Sequence, residues 1–149
     1  GVMTDGRFYY NEDGKFAKVF GADDHEALKY IKRNLEILFV SADKKGFEIS
    51  KKRIVNDMGF TLSLVDSFDR ISWIKERYDP CKVIYIGDGL LDHFTMKEVG
   101  YSIAPPNALD ITKKSANFIT TRVGGDRCVA EAVLHIADKL FNKNILLDY

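Results

Sequence analysis

Four short apolar runs recur along the chain: ILFVS at 37–41, TLSLV at 61–65, VIYIGD at 83–88 and YSIA at 101–104. Each is separated from the next by a longer, mixed stretch. Continuously apolar runs of this length are strands buried on both faces, and strands joined through helix-length crossovers lie parallel. The pattern predicts an α/β domain, a mostly parallel sheet in a Rossmann-like three-layer α/β/α arrangement.

The intervening segments have helical periodicity. Asp23 and Asp24 stand where they can cap a helix carrying Leu28, Ile31 and Leu35. Residues 44–58 put Phe47, Ile54, Val55 and Met58 on one face, with Gly59 as the stop. Ser67 is placed to cap a helix with Ile71, Ile74 and Tyr78, which Pro80 breaks. NFIT makes one more short strand, and 129–141 is a strongly apolar last helix. Ahead of all this, RFYYNEDGKFAKVF alternates around residues 11–14, and Asp13-Gly14 offers the positive-φ turn of a tight hairpin, a small flap over about 7–20.

Charge and length narrow the function classes. At 149 residues the expectation is one domain, 1–149. Lys and Arg total 22, as do Asp and Glu, and no basic stretch interrupts them, so neither nucleic acid nor an anionic membrane is an expected partner. No apolar run reaches the roughly 18 residues of a spanning helix and no signal peptide is visible, which reads as a cytoplasmic chain. Cys81 and Cys128 belong to no C-x-x-C pair and read as reduced thiols.

In a parallel sheet ligands bind beyond the carboxyl ends of the strands. Three ends carry chemistry here: Ser41; Asp88 followed by Asp92 in GDGLLD; and TRVGGDR after the last strand. Two carboxylates four residues apart after a glycine suit a hard cation such as Mg²⁺, or equally a helix cap with its dipole partner. A strand-end hydroxyl binds a phosphate oxygen or satisfies a local turn.

GVMTDG, Ser41 after its strand, Arg70 after TLSLV, GDGLLD and GGDR before the last helix are similar, in order and spacing, to the haloacid dehalogenase superfamily. Within it the chain most resembles the capless 3-deoxy-D-manno-octulosonate 8-phosphate phosphatases. That resemblance implies a Mg²⁺-dependent phosphatase acting on a small phosphorylated sugar acid, octulosonate 8-phosphate-like or nonulosonate 9-phosphate-like. It implies Asp88 as a direct Mg²⁺ ligand, and Asp92 as the second acid of that loop, bracing a metal water or the basic side chain. Ser41 would hold the transferred phosphoryl group. Arg70 takes the place of the family's usual Lys. Asp24 and Arg127 would lie near substrate.

The family's opening reads D-x-D-G-V-x-T-D-G, so its nucleophile and its acid-base Asp fall just upstream of Gly1, on the central strand of the sheet. The expectation is an Asp-x-Asp pair and its strand preceding Gly1. Elsewhere the chain departs from the family: Asp23 and His25 stand for Arg and Gly, Gly89 for Asp, and Ala42-Asp43 for Gly-Arg. Losing Arg and gaining Asp is electrostatically unfavourable beside an anionic octulosonate. His93 and His135 read as structural.

Two other classes compete: a catalytically inactive assembly or binding domain tied to sugar-nucleotide synthesis, and a phospho-receiver. The latter needs an Asp mid-chain and a Lys at a later strand end, where this chain has Ser41 and Asp88. The hairpin's Phe8, Tyr9, Tyr10, Phe16, Val19 and Phe20 cannot all pack on one domain, and family members form tetramers. The expectation is a homotetramer, with Tyr9 and Phe16 between subunits and the stretch after Phe141 near a neighbouring site.

Overall fold

The computed structural model describes residues 1–142. A loop over 1–6 leads into an antiparallel hairpin of β1 (Tyr9–Asn11) and β2 (Gly14–Ala17). Asn11 faces Gly14, which takes φ 116°, a left-handed conformation cheap only for glycine. The flap therefore turns where the Asp13-Gly14 pair predicts.

Helices and strands then alternate: α1 (Asp24–Ile31), β3 (Leu38–Ser41), α2 (Phe47–Lys51) running on as a π-helical segment over Lys52–Asp57, and β4 (Thr61–Leu64). Next come α3 (Arg70–Lys75), a 3₁₀ turn at Pro80–Lys82, β5 (Ile84–Ile86) and α4 (Asp92–Met96). β6 (Tyr101–Ala104), α5 (Asp110–Ser115), β7 (Phe118–Ile119) and α6 (Cys128–Phe141) complete the described fold. Among the described residues the strand ladders outside the hairpin are parallel, β3 with β4, β5 with β6 and β6 with β7, and a single antiparallel bridge joins Thr4 to Phe20 at the base of the flap.

Two apolar layers cover these strands. On one face α6 packs Val129, Ala132, Val133 and Ile136 against Leu28 and Ile31 of α1. On the other, Ile74, Tyr85, Met96, Ala104 and Ala108 form a smaller cluster. β5 obeys the two-residue period, with Ile84 and Ile86 turned to the first layer and Tyr85 to the second.

The expected sheet is nonetheless in two pieces. β3 and β4 form one, and β5, β6 and β7 the other, with no ladder between β3 and β5. Between them lies a cavity of about 960 Å³ lined by both strands, by Trp73 and Ile74 of α3 and by Val133 and Ile136 of α6. Burial reports the same break: Ile103 and Ala104 on β6 are 0% exposed, while Phe39, Val40, Ile84 and Ile86 are only half-buried.

The helix starts also differ from expectation. Asp23 sits before α1 at φ 69° and makes no side-chain cap, and Asp24 turns away from its own helix. α3 begins at Arg70 without a side-chain cap from Ser67; Asp66 accepts the Phe68 N–H at 3.0 Å instead.

Candidate active site

The β5 end is wired by one carboxylate. Asp92 Oδ1 accepts from Arg70 Nη1 at 2.9 Å and from the Tyr85 hydroxyl at 2.6 Å, and Oδ2 accepts the N–H groups of Asp88 and Gly89 at 2.9 and 2.8 Å. Gly87 permits this approach, because a Cβ there would stand 2.6 Å from Asp92 Oδ2. All three side chains are buried. Burial disfavours the Arg70 charge, but the oxygens of Tyr85 and Asp92 more than compensate and hold the guanidinium protonated. Burial first, and the Asp92 charge after it, push the Tyr85 phenol far above its ordinary range.

Asp88 is arranged differently. It is half-buried, and its Oδ1 accepts from the Gly1 amino group at 2.9 Å. The 1–6 loop is held there by backbone contacts: Gly125 N–H donates to the Val2 carbonyl at 3.1 Å, and Asn107 Nδ2 to the Gly1 carbonyl at 3.0 Å. Gly124 packs so closely that a Cβ would meet the Gly1 carbonyl oxygen, so the GGD motif works through its backbone. Among the described residues no group of three or more His, Cys, Asp or Glu side chains gathers into an ion cage. Asp88 alone suits a Mg²⁺ of the sparser kind, held by one or two carboxylates with water and a phosphate supplying the rest.

Across the cavity, at the β3 end, the Ser41 hydroxyl accepts the Asp43 N–H at 3.2 Å, a local turn that leaves its own proton free to donate. Asp43 accepts from Lys15 Nζ at 2.6 Å, Lys18 Nζ at 2.9 Å and the Gly46 N–H at 3.1 Å. Burial raises its carboxyl, but these donors outweigh burial and hold it at about 2. Lys18 also donates to Ser50 Oγ at 2.6 Å. The acidic substitution that looks hostile to an anionic ligand is thus covered by two hairpin cations. Sequence reading missed Lys15 and Lys18, because no spacing rule joins a hairpin to a later strand-end loop.

Ser41, Arg70, Asp88 and Asp92 line one cavity, with Lys18 and Arg7 at its flap side. Asp24 and Arg127, expected near substrate, do not line this cavity. Asp24 is 1% exposed, and its Oδ1 accepts the Ala130 N–H at 2.9 Å. It therefore caps α6, whose first turn is buried and needs an acceptor. Burial, only partly offset by these backbone N–H groups, raises its carboxyl. Arg127 lies on the surface paired with Asp23 and Asp126. His135 stacks on Phe118 at 3.7 Å and bonds the Tyr101 hydroxyl, and His93 faces the Leu90 carbonyl, both structural roles.

Residues 4–133 match the family described as haloacid dehalogenase-like hydrolase. The 3-deoxy-D-manno-octulosonate 8-phosphate phosphatase of Yersinia pestis is 28% identical over 149 positions, covering 94% of this chain and 78% of that protein. The homologous enzyme of Salmonella typhi is 27% identical over 141 positions, covering 88% and 71%. In fold, the chain is similar to the cobalt-bound deoxy-D-mannose-octulosonate 8-phosphate phosphatase of Haemophilus influenzae, at TM-score 0.82, 21% identity, and coverage of 100% and 88%. It is similar too to the Moraxella catarrhalis phosphatase solved with magnesium, phosphate and its sugar acid, at TM-score 0.76, 22% identity, and coverage of 93% and 81%.

Proposed function

From the premise that this chain belongs to the haloacid dehalogenase-like hydrolases, we propose that it is a Mg²⁺-dependent phosphatase of a small phosphorylated sugar acid, 3-deoxy-D-manno-octulosonate 8-phosphate or a close analogue. The observation that carries the reading is the convergence of Asp88, the Arg70–Asp92 pair and Ser41 on one cavity at the carboxyl ends of β3 and β5.

Each side chain has a distinct part. Ser41 donates to a phosphoryl oxygen. Arg70, fixed by Asp92 and Tyr85, presents positive charge toward the phosphate with no reorganisation at the moment of reaction. Asp88 would hold Mg²⁺, and the ion would supply positive charge to the phosphate. Lys18 and Arg7 face the sugar acid from the flap. The nucleophile in this reading is an Asp preceding Gly1: its carboxylate oxygen attacks phosphorus, the sugar oxygen leaves with a proton from the second Asp, and water hydrolyses the resulting aspartyl phosphate. The Gly1 nitrogen lies 2.9 Å from Asp88 Oδ1, so a residue joined to it arrives beside Asp88.

The reading also includes a homotetramer in the cytoplasm. Its support is the flap, where Phe8 is 63% and Phe16 57% exposed, the Lys15 ammonium lying over the Phe8 ring. Tyr9 is half-buried, with its hydroxyl 3.2 Å from Asp5. The proposed role of the stretch after Phe141 falls mostly beyond residue 142, outside the described residues. No helix among the described residues is long and apolar enough to cross a membrane.

The decisive experiment reads the residues encoded upstream of Gly1 and assays the chain carrying them for phosphate release from 3-deoxy-D-manno-octulosonate 8-phosphate. An acidic pair with metal-dependent turnover is expected. A non-acidic pair, with no turnover of any phosphomonoester, leaves an assembly domain. Light scattering tests the tetramer: a single-chain mass, unchanged by Phe16→Asp, refutes it.

A further inference from the structure

α5 spans six residues and fully buries only one of them, Thr112, which is 0% exposed. A helix with a single inward position ordinarily fills it with an apolar side chain, because a buried hydroxyl costs free energy unless it is hydrogen-bonded. The usual local partner of a helical hydroxyl is the carbonyl one turn back, and Ser115 of the same helix takes it, donating to the Ile111 carbonyl at 3.2 Å. Thr112 does not. Its hydroxyl donates to the Gly89 carbonyl at 2.8 Å, 23 residues earlier, in the turn that carries Asp88.

The backbone of Gly89 is thereby held on both sides. Its N–H and that of Asp88 donate to Asp92 Oδ2 at 2.8 and 2.9 Å, and its carbonyl also accepts the Asp92 N–H at 3.1 Å. With Thr112 added, both lone pairs of that carbonyl are engaged, so it is not a ligand left open to a cation. Gly89 and Leu90 are both exposed, so burial contributes little to holding the turn. Gly89 also stands where the family has Asp, and a Cβ there would come within 3.3 Å of Asp92 Oδ2. In this chain the turn is fastened through its peptide groups, not through a side chain at position 89.

We propose that Thr112 is a positioning residue for Asp88. Asp92 secures the turn from within the same loop, Thr112 secures it from α5, and the two together fix the peptide from which the Asp88 side chain departs. The consequence for Mg²⁺ rests on the reading of Asp88 given above; the clamp itself does not.

The test uses the 149-residue chain and two substitutions. Thr112→Val removes the hydroxyl and keeps the shape, while Thr112→Ser keeps the hydroxyl and removes the methyl group. Amide exchange is followed by NMR at Asp88 and Gly89, with rates taken relative to Val133 and Ile136 of α6. The clamp expects Thr112→Val to speed exchange at both turn amides about five- to tenfold, the size of one lost neutral hydrogen bond, and Thr112→Ser to keep the parent rates. Equal acceleration by both substitutions would overturn the proposal, since methyl packing would then hold the turn. Unchanged turn rates in Thr112→Val would overturn it as well. In the unsubstituted chain the Thr112 hydroxyl proton should be resolved and slow to exchange with water; its absence sinks the clamp even where Thr112→Val does not fold.

Mg²⁺ alone is then titrated and read by the Asp88 and Gly89 amide shifts. Binding should weaken about five- to tenfold in Thr112→Val and stay parental in Thr112→Ser. Parental affinity in Thr112→Val alongside faster exchange would overturn the proposal, because the turn would then loosen without misplacing Asp88. Mg²⁺ that shifts neither amide in any of the three chains overturns the reading of Asp88 as a ligand, and the exchange rates alone then decide the clamp.

Discussion

The β5 end and the β3 end of the same cavity hold their charges in opposite ways. At β5, Arg70, Tyr85 and Asp92 are buried together, and four hydrogen bonds saturate one carboxylate. At β3, Asp43 is reached by two flap lysines whose side chains are themselves buried, although the flap's Phe8, Tyr10 and Phe16 are exposed. The first arrangement is rigid because every partner is also part of the core. The second draws its charge from the flap, an element outside the parallel sheet, so the two ends depend on different parts of the fold.

The largest effect expected is at Asp88, the β5-end carboxylate left outside the saturated set. In a form carrying an upstream Asp-x-Asp, Asp88→Ala abolishes turnover of a general phosphomonoester while the denaturation midpoint stays put, because a half-exposed strand-end carboxylate adds little to the core. Retained turnover would remove Asp88 from the site. Asp92→Ala strikes the other kind of residue. It strands the Arg70 charge in a buried position, and urea denaturation should show a loss of about 3–5 kcal/mol along with lost turnover. A loss no larger than that of a surface pair would erase the contrast between the two ends.

At the β3 end the effect is smaller and depends on pH. The Asp43 carboxyl is held at about 2, below its value of 3.8 in an unfolded chain. Its stabilising contribution is therefore complete above pH 4 and disappears as pH falls toward 2. Denaturation midpoints of the parent and of Asp43→Ala should differ at neutral pH and converge on acidification through that window. A difference independent of pH would show that the lysines contribute packing rather than charge. Smallest is Ser41→Ala, which removes one neutral hydrogen bond to the phosphoryl group, worth about 0.5–1.5 kcal/mol in kcat/KM. A larger loss would place Ser41 among the rigid residues.

The same contrast explains what could be read from the sequence. The alternation of apolar runs and helical segments predicts the parallel pairs, and the Asp13-Gly14 turn is visible because its determinants are adjacent. Asp88 and Asp92 are legible because a strand end and the following turn bring them together over four residues. Lys15 and Lys18 are not, since their partner comes from a different loop. Asp24 misleads for a related reason: an acid before a helix looks like that helix's cap, and only tertiary packing reveals that it caps α6. The two-piece sheet is a fact about pairing between elements, which periodicity within each element does not encode.

Trp73 is the only tryptophan in the chain; it lines the cleft, with the Arg77 guanidinium 4.5 Å over its ring. Indole emission shifts with the polarity and quenching of its immediate surroundings. The intrinsic fluorescence of this protein is therefore a local gauge of whether water or hydrocarbon occupies the cleft. Unfolding curves read by that emission will follow this one space first and the remainder of the domain second, while circular dichroism follows the backbone as a whole. Where the two curves separate along a denaturant axis, the interval measures how independently the cleft opens.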